Sequence, residues 1–122
     1  MFEVMIEDCF SAAHRLLDYD GDEDQVHGHT WKVKVFVRGT NINTSGILID
    51  FKVLKASLKE ILNNLDHKDL NTIDEFKDLS PSSELIAKYI YIKLKSKYSK
   101  INRVSVCESE YHMASYWDEN NP

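Results

Sequence analysis

The sequence predicts an α+β fold in which an antiparallel four-stranded sheet carries two helices inserted after its second strand. Polar and apolar residues alternate near both ends of the chain, which is typical of half-buried strands. Between these regions, apolar residues recur at three- and four-residue intervals, as they do on one face of a helix. The 122 residues include no linker-like stretch and no repeat, so we expect a single domain over residues 1–122.

Four stretches of alternation predict the strands. Four of the five even positions of residues 2–10 are apolar (Phe2, Val4, Ile6 and Phe10), and a second strand over about residues 29–38 has Trp31 and three valines on one face. The last two strands are predicted over residues 102–108 and 112–117. Such a sheet has two open edges with which neighbouring subunits can pair, so we expect the chain to oligomerise.

Each helix has a recognisable start. Asp50 is a suitable N-cap for the first helix. Ser80 followed by Pro81 predicts the start of the second, with Pro81 at its first position and Glu84 in its first turn. Because each helix has one apolar face to bury, we expect both to pack on the same side of the sheet. The apolar face of the first helix consists of Phe51, Leu54, Leu58, Ile61, Leu62 and Leu65.

Composition disfavours several classes of protein. A net charge of -5 argues against a nucleic-acid partner, since nucleic-acid binders usually have a basic surplus. No apolar run approaches the roughly 20 residues that span a bilayer. The N-terminal stretch is acidic, unlike a secretory signal, so we expect a cytoplasmic protein without a membrane partner. Cys9 and Cys107 form no CxxC pattern, and we expect buried free thiols rather than a disulfide.

Three of the five histidines lie within sixteen residues, where the first two strands meet. The rings of His27 and His29 point to one side of an extended chain, and Gly28 between them leaves room for a ligand. His14 shares the parity of the buried positions of the first strand, so antiparallel pairing would bring it beside them. Three imidazoles with an open fourth position are typical of catalytic zinc, and we expect Zn²⁺ here, the alternative being ordinary loop histidines.

Three carboxylates are further candidates for functional residues. Asp66 stands next to His67 and could fix its tautomer in a proton-transfer pair, unless both simply belong to a polar helix terminus. Glu108 continues the apolar face of a strand, where a ligand with two N–H donors would pair with it, unless the strand ends at Cys107. Glu23 lies in an acidic stretch whose default interpretation is a solvated loop.

The chain carries, in this order, residues 10–16 (FSAAHRL), 27–29 (HGH), 49–51 (IDF), 65–67 (LDH), 81–84 (PSSE) and Glu108. This order of motifs resembles the 6-pyruvoyl tetrahydropterin synthase family, which includes the 6-carboxy-tetrahydropterin synthases. The resemblance implies the tunnelling fold, in which sheets from several subunits join into a barrel. It also implies a homohexamer, a dimer of trimers, with active sites at subunit interfaces. The matching residues span nearly the whole chain.

The same resemblance assigns roles to individual residues. The three histidines would bind zinc, and the zinc would hold the side-chain hydroxyls of a pterin substrate, 7,8-dihydroneopterin triphosphate. Glu108 would anchor the amino-pyrimidine edge of the pterin ring. Asp66 and His67 would form a proton-relay pair, and Ser82 and Ser83 would lie near the pterin pocket.

One position departs from the family pattern. Most members have a catalytic cysteine four residues before the first histidine of the HGH motif, where this chain has Glu23. A carboxylate is a weaker base than a thiolate, because the reference pKa values differ by about four units. The substitution resembles a subgroup linked to folate biosynthesis, whose members cleave the substrate side chain.

The resemblance therefore implies a zinc-dependent lyase that converts 7,8-dihydroneopterin triphosphate to 6-hydroxymethyl-7,8-dihydropterin, with Glu23 as the base. One alternative is formation of 6-carboxy-5,6,7,8-tetrahydropterin, in queuosine biosynthesis, or of 6-pyruvoyl tetrahydropterin. Others are a pterin- and metal-binding protein without catalysis, and an oligomer with a structural zinc site.

Overall fold

The computed structural model describes residues 1–21 and 25–120, and the chain forms a five-stranded sheet covered by two helices. The four predicted strands are present, in the order β1, β2, β4, β5 across the sheet, and each pair of neighbours is antiparallel. The elements are β1 (Phe2–His14), β2 (His27–Gly39), α1 (Phe51–Asn63), β3 (Lys68–Asp69), α2 (Ser83–Lys95), β4 (Ile101–Ser109) and β5 (His112–Tyr116).

The fifth strand, β3, was not expected from the sequence. Its two residues pair in parallel with Ala12 and Ala13 on the outer edge of β1, which makes the sheet mixed rather than wholly antiparallel. Two residues are too few to produce an alternation pattern, so sequence periodicity could not reveal this strand.

The core lies between one face of the sheet and the two helices. The buried residues of β1 are at even positions and those of β2 at odd positions, beneath α1 and α2, as the alternation predicts. Trp31 is fully buried and donates its indole N–H to the carbonyl of Ala12, 3.2 Å away. The same parity continues to the ends of the strands, so residues there also face the helix-covered side.

The helix starts are confirmed for α1 and corrected for α2. Asp50 caps α1 by accepting a 2.8 Å hydrogen bond from the N–H of Lys52. The second helix begins at Ser83, and its cap is Ser82, whose hydroxyl accepts from the N–H of Leu85. The prediction that Pro81 occupies the first helical position was therefore wrong.

The two cysteines are free, but the expectation that both are buried was wrong. Cys9 is exposed and Cys107 is half-buried, because both lie on the sheet face without helices. Each pairs with Lys32, from opposite sides of β2. Two strand spacings, about 9–10 Å, exceed the reach of a disulfide. Among the described residues, no helix is both long enough and apolar enough to cross a membrane.

Candidate active site

The three histidines meet on the helix-covered face, where β1 ends and β2 begins. His14 is the register partner of His27, and His29 lies two residues further along the same face of β2. Their ring centroids are 4.6–5.4 Å apart. His14 is 1% exposed and packs edge-on against Trp31. The predicted convergence of the three rings is thus a direct consequence of strand pairing.

Backbone carbonyls orient two of these rings. Nδ1 of His14 lies 2.8 Å from the carbonyl of Pro81, and Nδ1 of His27 lies 2.7 Å from that of Gln25. A carbonyl only accepts, so Nδ1 carries the proton, and in the neutral ring the lone pair is on Nε2. Burial lowers the pKa of His14, although its bond to Pro81 opposes this effect. The protein thus keeps His14 in the neutral form that binds metals.

Glu108 joins the three histidines from β4. Its Oε1 lies 3.0 Å from Nε2 of His29, and its Oε2 lies 3.5 Å from the hydroxyl of Ser83, at the start of α2. The side chain is 25% exposed, so the strand does not simply end in water at Cys107. Glu108 and Ser83 also line a groove of about 520 Å³. Ser82 has a separate role, because its hydroxyl caps α2.

These residues fit a bound zinc ion. The ligating atoms of His14, His27, His29 and Glu108 all lie within 4.8 Å of one another. Nε2 of His29 is buried and makes no hydrogen bond with any residue that the structure describes, which leaves it available as a ligand. Imidazole nitrogen and carboxylate oxygen are ligands that zinc takes in tetrahedral sites. A histidine that binds zinc through Nε2 usually donates its Nδ1–H to a carbonyl or carboxylate, as His14 and His27 do here.

Asp66 and His67 form the predicted pair, at a distance from the histidine cluster. Nδ1 of His67 lies 3.0 Å from Oδ2 of Asp66. Oδ1 of Asp66 accepts a 2.8 Å bond from the N–H of Ser11, and the N–H of His67 donates to the carbonyl of Ser11. His67 has a left-handed backbone (φ 59°), and its side chain is 82% exposed. These bonds attach the pair to the outer edge of β1, just before β3.

The groove beside His67 opens on the helix-free face of the sheet. It has a volume of about 500 Å³, and Ser11, Gly28, His29 and Thr30 line it with His67. Ser11 and Thr30 have the opposite parity to the histidine ligands and share a side-chain hydrogen bond across the strands. By side-chain parity, the rings of the histidine cluster face the helix-covered side, whereas the relay pair of the same chain lies beside residues of the helix-free face.

Comparison with known proteins identifies the family. Residues 3–119 match the family model described as "PTPS: 6-pyruvoyl tetrahydropterin synthase". The chain belongs to this family. It is therefore a lyase-type enzyme of the pterin-synthase family, as its motifs predict.

Two relatives and one solved structure show how close this family membership is. A 6-carboxy-5,6,7,8-tetrahydropterin synthase from Synechocystis is 35% identical over 96% of this chain and 94% of its own length. A dihydroneopterin monophosphate aldolase from Pyrococcus furiosus is 30% identical over 93% and 96%. The structure of the 6-pyruvoyl tetrahydropterin synthase from Caenorhabditis elegans superimposes with a TM-score of 0.86, at 31% identity and 98% coverage of both chains.

Sequence reasoning found the side chains of this family site but missed the groups that hold them. The backbone of Ser11 orients Asp66 and His67, and the carbonyl of Pro81 orients His14. Backbone atoms carry no residue-type signal, so no pattern in the sequence could have indicated them. Glu23, predicted as the base, lies outside the described residues.

Replacing Asp66 with asparagine should remove a contribution to the free energy of unfolding that depends on pH in the acidic range. The N–H of Ser11, and after it His67, holds the pKa of Asp66 below its ordinary value of 3.8, although desolvation opposes the shift. Stability from this carboxylate is complete above the unfolded-state pKa and is lost as the pH falls through the lower folded-state value. We expect the urea midpoint of the wild type to exceed that of Asp66→Asn at pH 5, and the difference to shrink by pH 3. An unchanged difference would contradict this.

Proposed function

We propose that this enzyme is a zinc-dependent lyase that cleaves 7,8-dihydroneopterin triphosphate to 6-hydroxymethyl-7,8-dihydropterin, a reaction of folate biosynthesis. The observation that carries the proposal is the cluster of His14, His27, His29 and Glu108 beside an open groove. The relative named as a dihydroneopterin monophosphate aldolase supports carbon–carbon cleavage as the reaction. The presence of glutamate at position 23, instead of the usual cysteine, supports it as well.

The histidines would hold the metal, and the other residues would bind the substrate and move protons. Bound zinc would polarise the oxygens of the substrate side chain. Glu108, beside Ser83, would accept two N–H groups from the amino-pyrimidine edge of the pterin. Asp66 would keep the Nδ1 proton on His67, leaving Nε2 of His67 to exchange protons with the substrate.

The proposed cleavage balances with one base and one acid. Glu23 would take the proton of the side-chain hydroxyl on the second carbon from the ring. That oxygen becomes the carbonyl of the leaving fragment, and the bond between the first and second carbons breaks. The electron pair remains on the first carbon, conjugated with the ring, and this carbon takes up a proton from the His67–Asp66 pair. The products are the hydroxymethyl pterin and a phosphorylated aldehyde.

We also propose assembly as a homohexamer, a dimer of trimers, and the position of the relay pair supports active sites that are shared between subunits. Asp66 and His67 lie across the sheet from the histidine cluster of their own chain. The outer edge of β1 pairs with β3 only at Ala12 and Ala13, and β5 is the other edge of the sheet, so both edges offer backbone groups to a neighbour. Joining such edges would close the sheets into a barrel and bring a relay pair to the cluster of another subunit.

One specific observation favours a second candidate function. The Synechocystis relative is named as a 6-carboxy-5,6,7,8-tetrahydropterin synthase, and its similarity covers nearly the whole of both chains. In this alternative the same substrate and metal are used, and the enzyme would belong to queuosine biosynthesis. The 6-pyruvoyl product is the third outcome of the same chemistry.

Mass analysis of the products tests the proposal. Zinc-loaded protein is incubated with 7,8-dihydroneopterin triphosphate, and we expect 6-hydroxymethyl-7,8-dihydropterin. A carboxy- or pyruvoyl-tetrahydropterin, or binding without turnover, would overturn the proposal. Glu23→Cys should shift the product towards a tetrahydropterin, whereas Asp24→Cys, which places a thiol one residue away, should leave it unchanged. An unchanged product from Glu23→Cys would show that Glu23 does not choose the reaction.

A further inference from the structure

Glu108 occupies two environments at once. Its Oε1 lies beside Nε2 of His29 in the histidine cluster, and its Oε2 accepts from Ser83 at the mouth of the groove. The proposed function uses this carboxylate only to bind the pterin. We infer that Glu108 is also the fourth protein ligand of the metal in the substrate-free enzyme, and that pterin binding removes it and opens that position. This inference rests on the metal site of the proposed function.

The distance between Glu108 and His29 is close to the distance between two ligands of one metal ion. Two ligands on one tetrahedral zinc ion, with bonds of about 2.0–2.2 Å, are about 3.3–3.5 Å apart. Oε1 of Glu108 and Nε2 of His29 are 3.0 Å apart, so a shift of about half an ångström would bring them to that separation. Glu84 lines the same groove but does not belong to the cluster of ligating atoms.

The chemistry of the contact also points to a cation. Nε2 of His29 is buried and makes no hydrogen bond within residues 1–21 and 25–120, although the Glu108 oxygen is only 3.0 Å away. The two atoms are within ion-pairing distance, and no hydrogen bond joins them. A divalent cation between the two atoms would satisfy both, and Glu108 would reduce the charge of a site that otherwise has three neutral ligands.

The two roles of Glu108 exclude one another. Bidentate recognition of an amino-pyrimidine edge requires both carboxylate oxygens. Oε1 therefore leaves the metal when the pterin binds, and Ser83 keeps the carboxylate at the groove through Oε2. The fourth position becomes available to the substrate hydroxyls only after the ring is anchored. Without substrate, Glu108 closes the site against other ligands.

Cobalt(II) makes the coordination visible, because its visible absorption changes with the number and type of ligands. Metal-free wild type, Glu108→Gln and Glu110→Gln are titrated with Co²⁺. We expect Glu108→Gln to bind Co²⁺ at least about 10-fold more weakly and with an altered spectrum, because it lacks a ligand. Glu110→Gln, a matched change two residues away and outside the cluster, should match the wild type in both respects.

A second measurement uses the wild type without any substitution in the site. We add 6-methyl-7,8-dihydropterin, which has the pterin ring but no side-chain hydroxyl. The Co²⁺ spectrum should shift towards that of Glu108→Gln, and the Glu108→Gln spectrum should not respond. Equal spectra and affinities for wild type and Glu108→Gln would overturn the inference while leaving the histidine site intact. Failure of the wild type to bind Co²⁺ at all would instead overturn the metal site of the proposed function.

Discussion

Replacing His27 with alanine should abolish turnover and weaken zinc binding by more than the roughly 10–100-fold that loss of an outer-shell partner costs. The ring points into the cluster, and its Nδ1 is held by the carbonyl of Gln25. His27 is the first residue of β2 and is only half-buried, so we expect the variant to keep its fold. Calorimetric zinc titration and a product assay measure the two effects.

His14→Ala is the informative comparison, because His14 is part of the core as well as of the cluster. Its ring is buried against Trp31 and bonded to the carbonyl of Pro81. Truncation leaves a cavity and an unsatisfied carbonyl, so the metal-free protein should lose about 2–4 kcal/mol of unfolding free energy. His112→Ala, outside the cluster, should retain zinc binding and stability. Full zinc affinity in His27→Ala would contradict the metal site.

The parts of this site that sequence could predict are those that strand periodicity fixes. Side chains alternate between the two faces of a strand. His14, His27 and His29 therefore lie on the face that carries Trp31, and Glu108 lies on the face of Val104 and Val106. Antiparallel pairing of β1 and β2 then makes His14 and His27 register partners. The histidines therefore come together through local pattern and one pairing, and Glu108 joins them through the pairing of β2 with β4, without knowledge of the helices.

The remaining features depend on contacts between segments far apart in the chain. β3 exists because Lys68 and Asp69 meet the edge of β1, and the ring of His14 is held by the carbonyl of Pro81, just before the start of α2. The sequence predicted Asp66 and His67 as a pair but not their position across the sheet from the cluster. That position follows from two hydrogen bonds to the backbone of Ser11. Any residue type has the same backbone groups, so the sequence does not indicate these bonds.

Mixing two inactive variants should restore activity if the active site is shared between subunits. His27→Ala removes a metal ligand, and His67→Ala removes the relay ring, so each variant alone should lose at least about 100-fold in rate. In a hexamer formed from equal amounts of both, one site in about four would combine an intact cluster with an intact relay pair from another chain. We therefore expect about one quarter of the wild-type activity after unfolding the two variants together and refolding them.

The control mixture separates sharing from other causes of recovery. His14→Ala and His27→Ala both damage the cluster of their own chain, so no arrangement of these subunits contains an intact one, and their mixture should remain inactive. If the first mixture also remains inactive although mixed oligomers form, the relay pair must serve the cluster of its own chain. That result would require His67, 82% exposed at the edge of β1, to move across the sheet during the reaction. Recovery to about one quarter instead explains why the pair is held away from its own cluster: the backbone of Ser11 positions it for a neighbour.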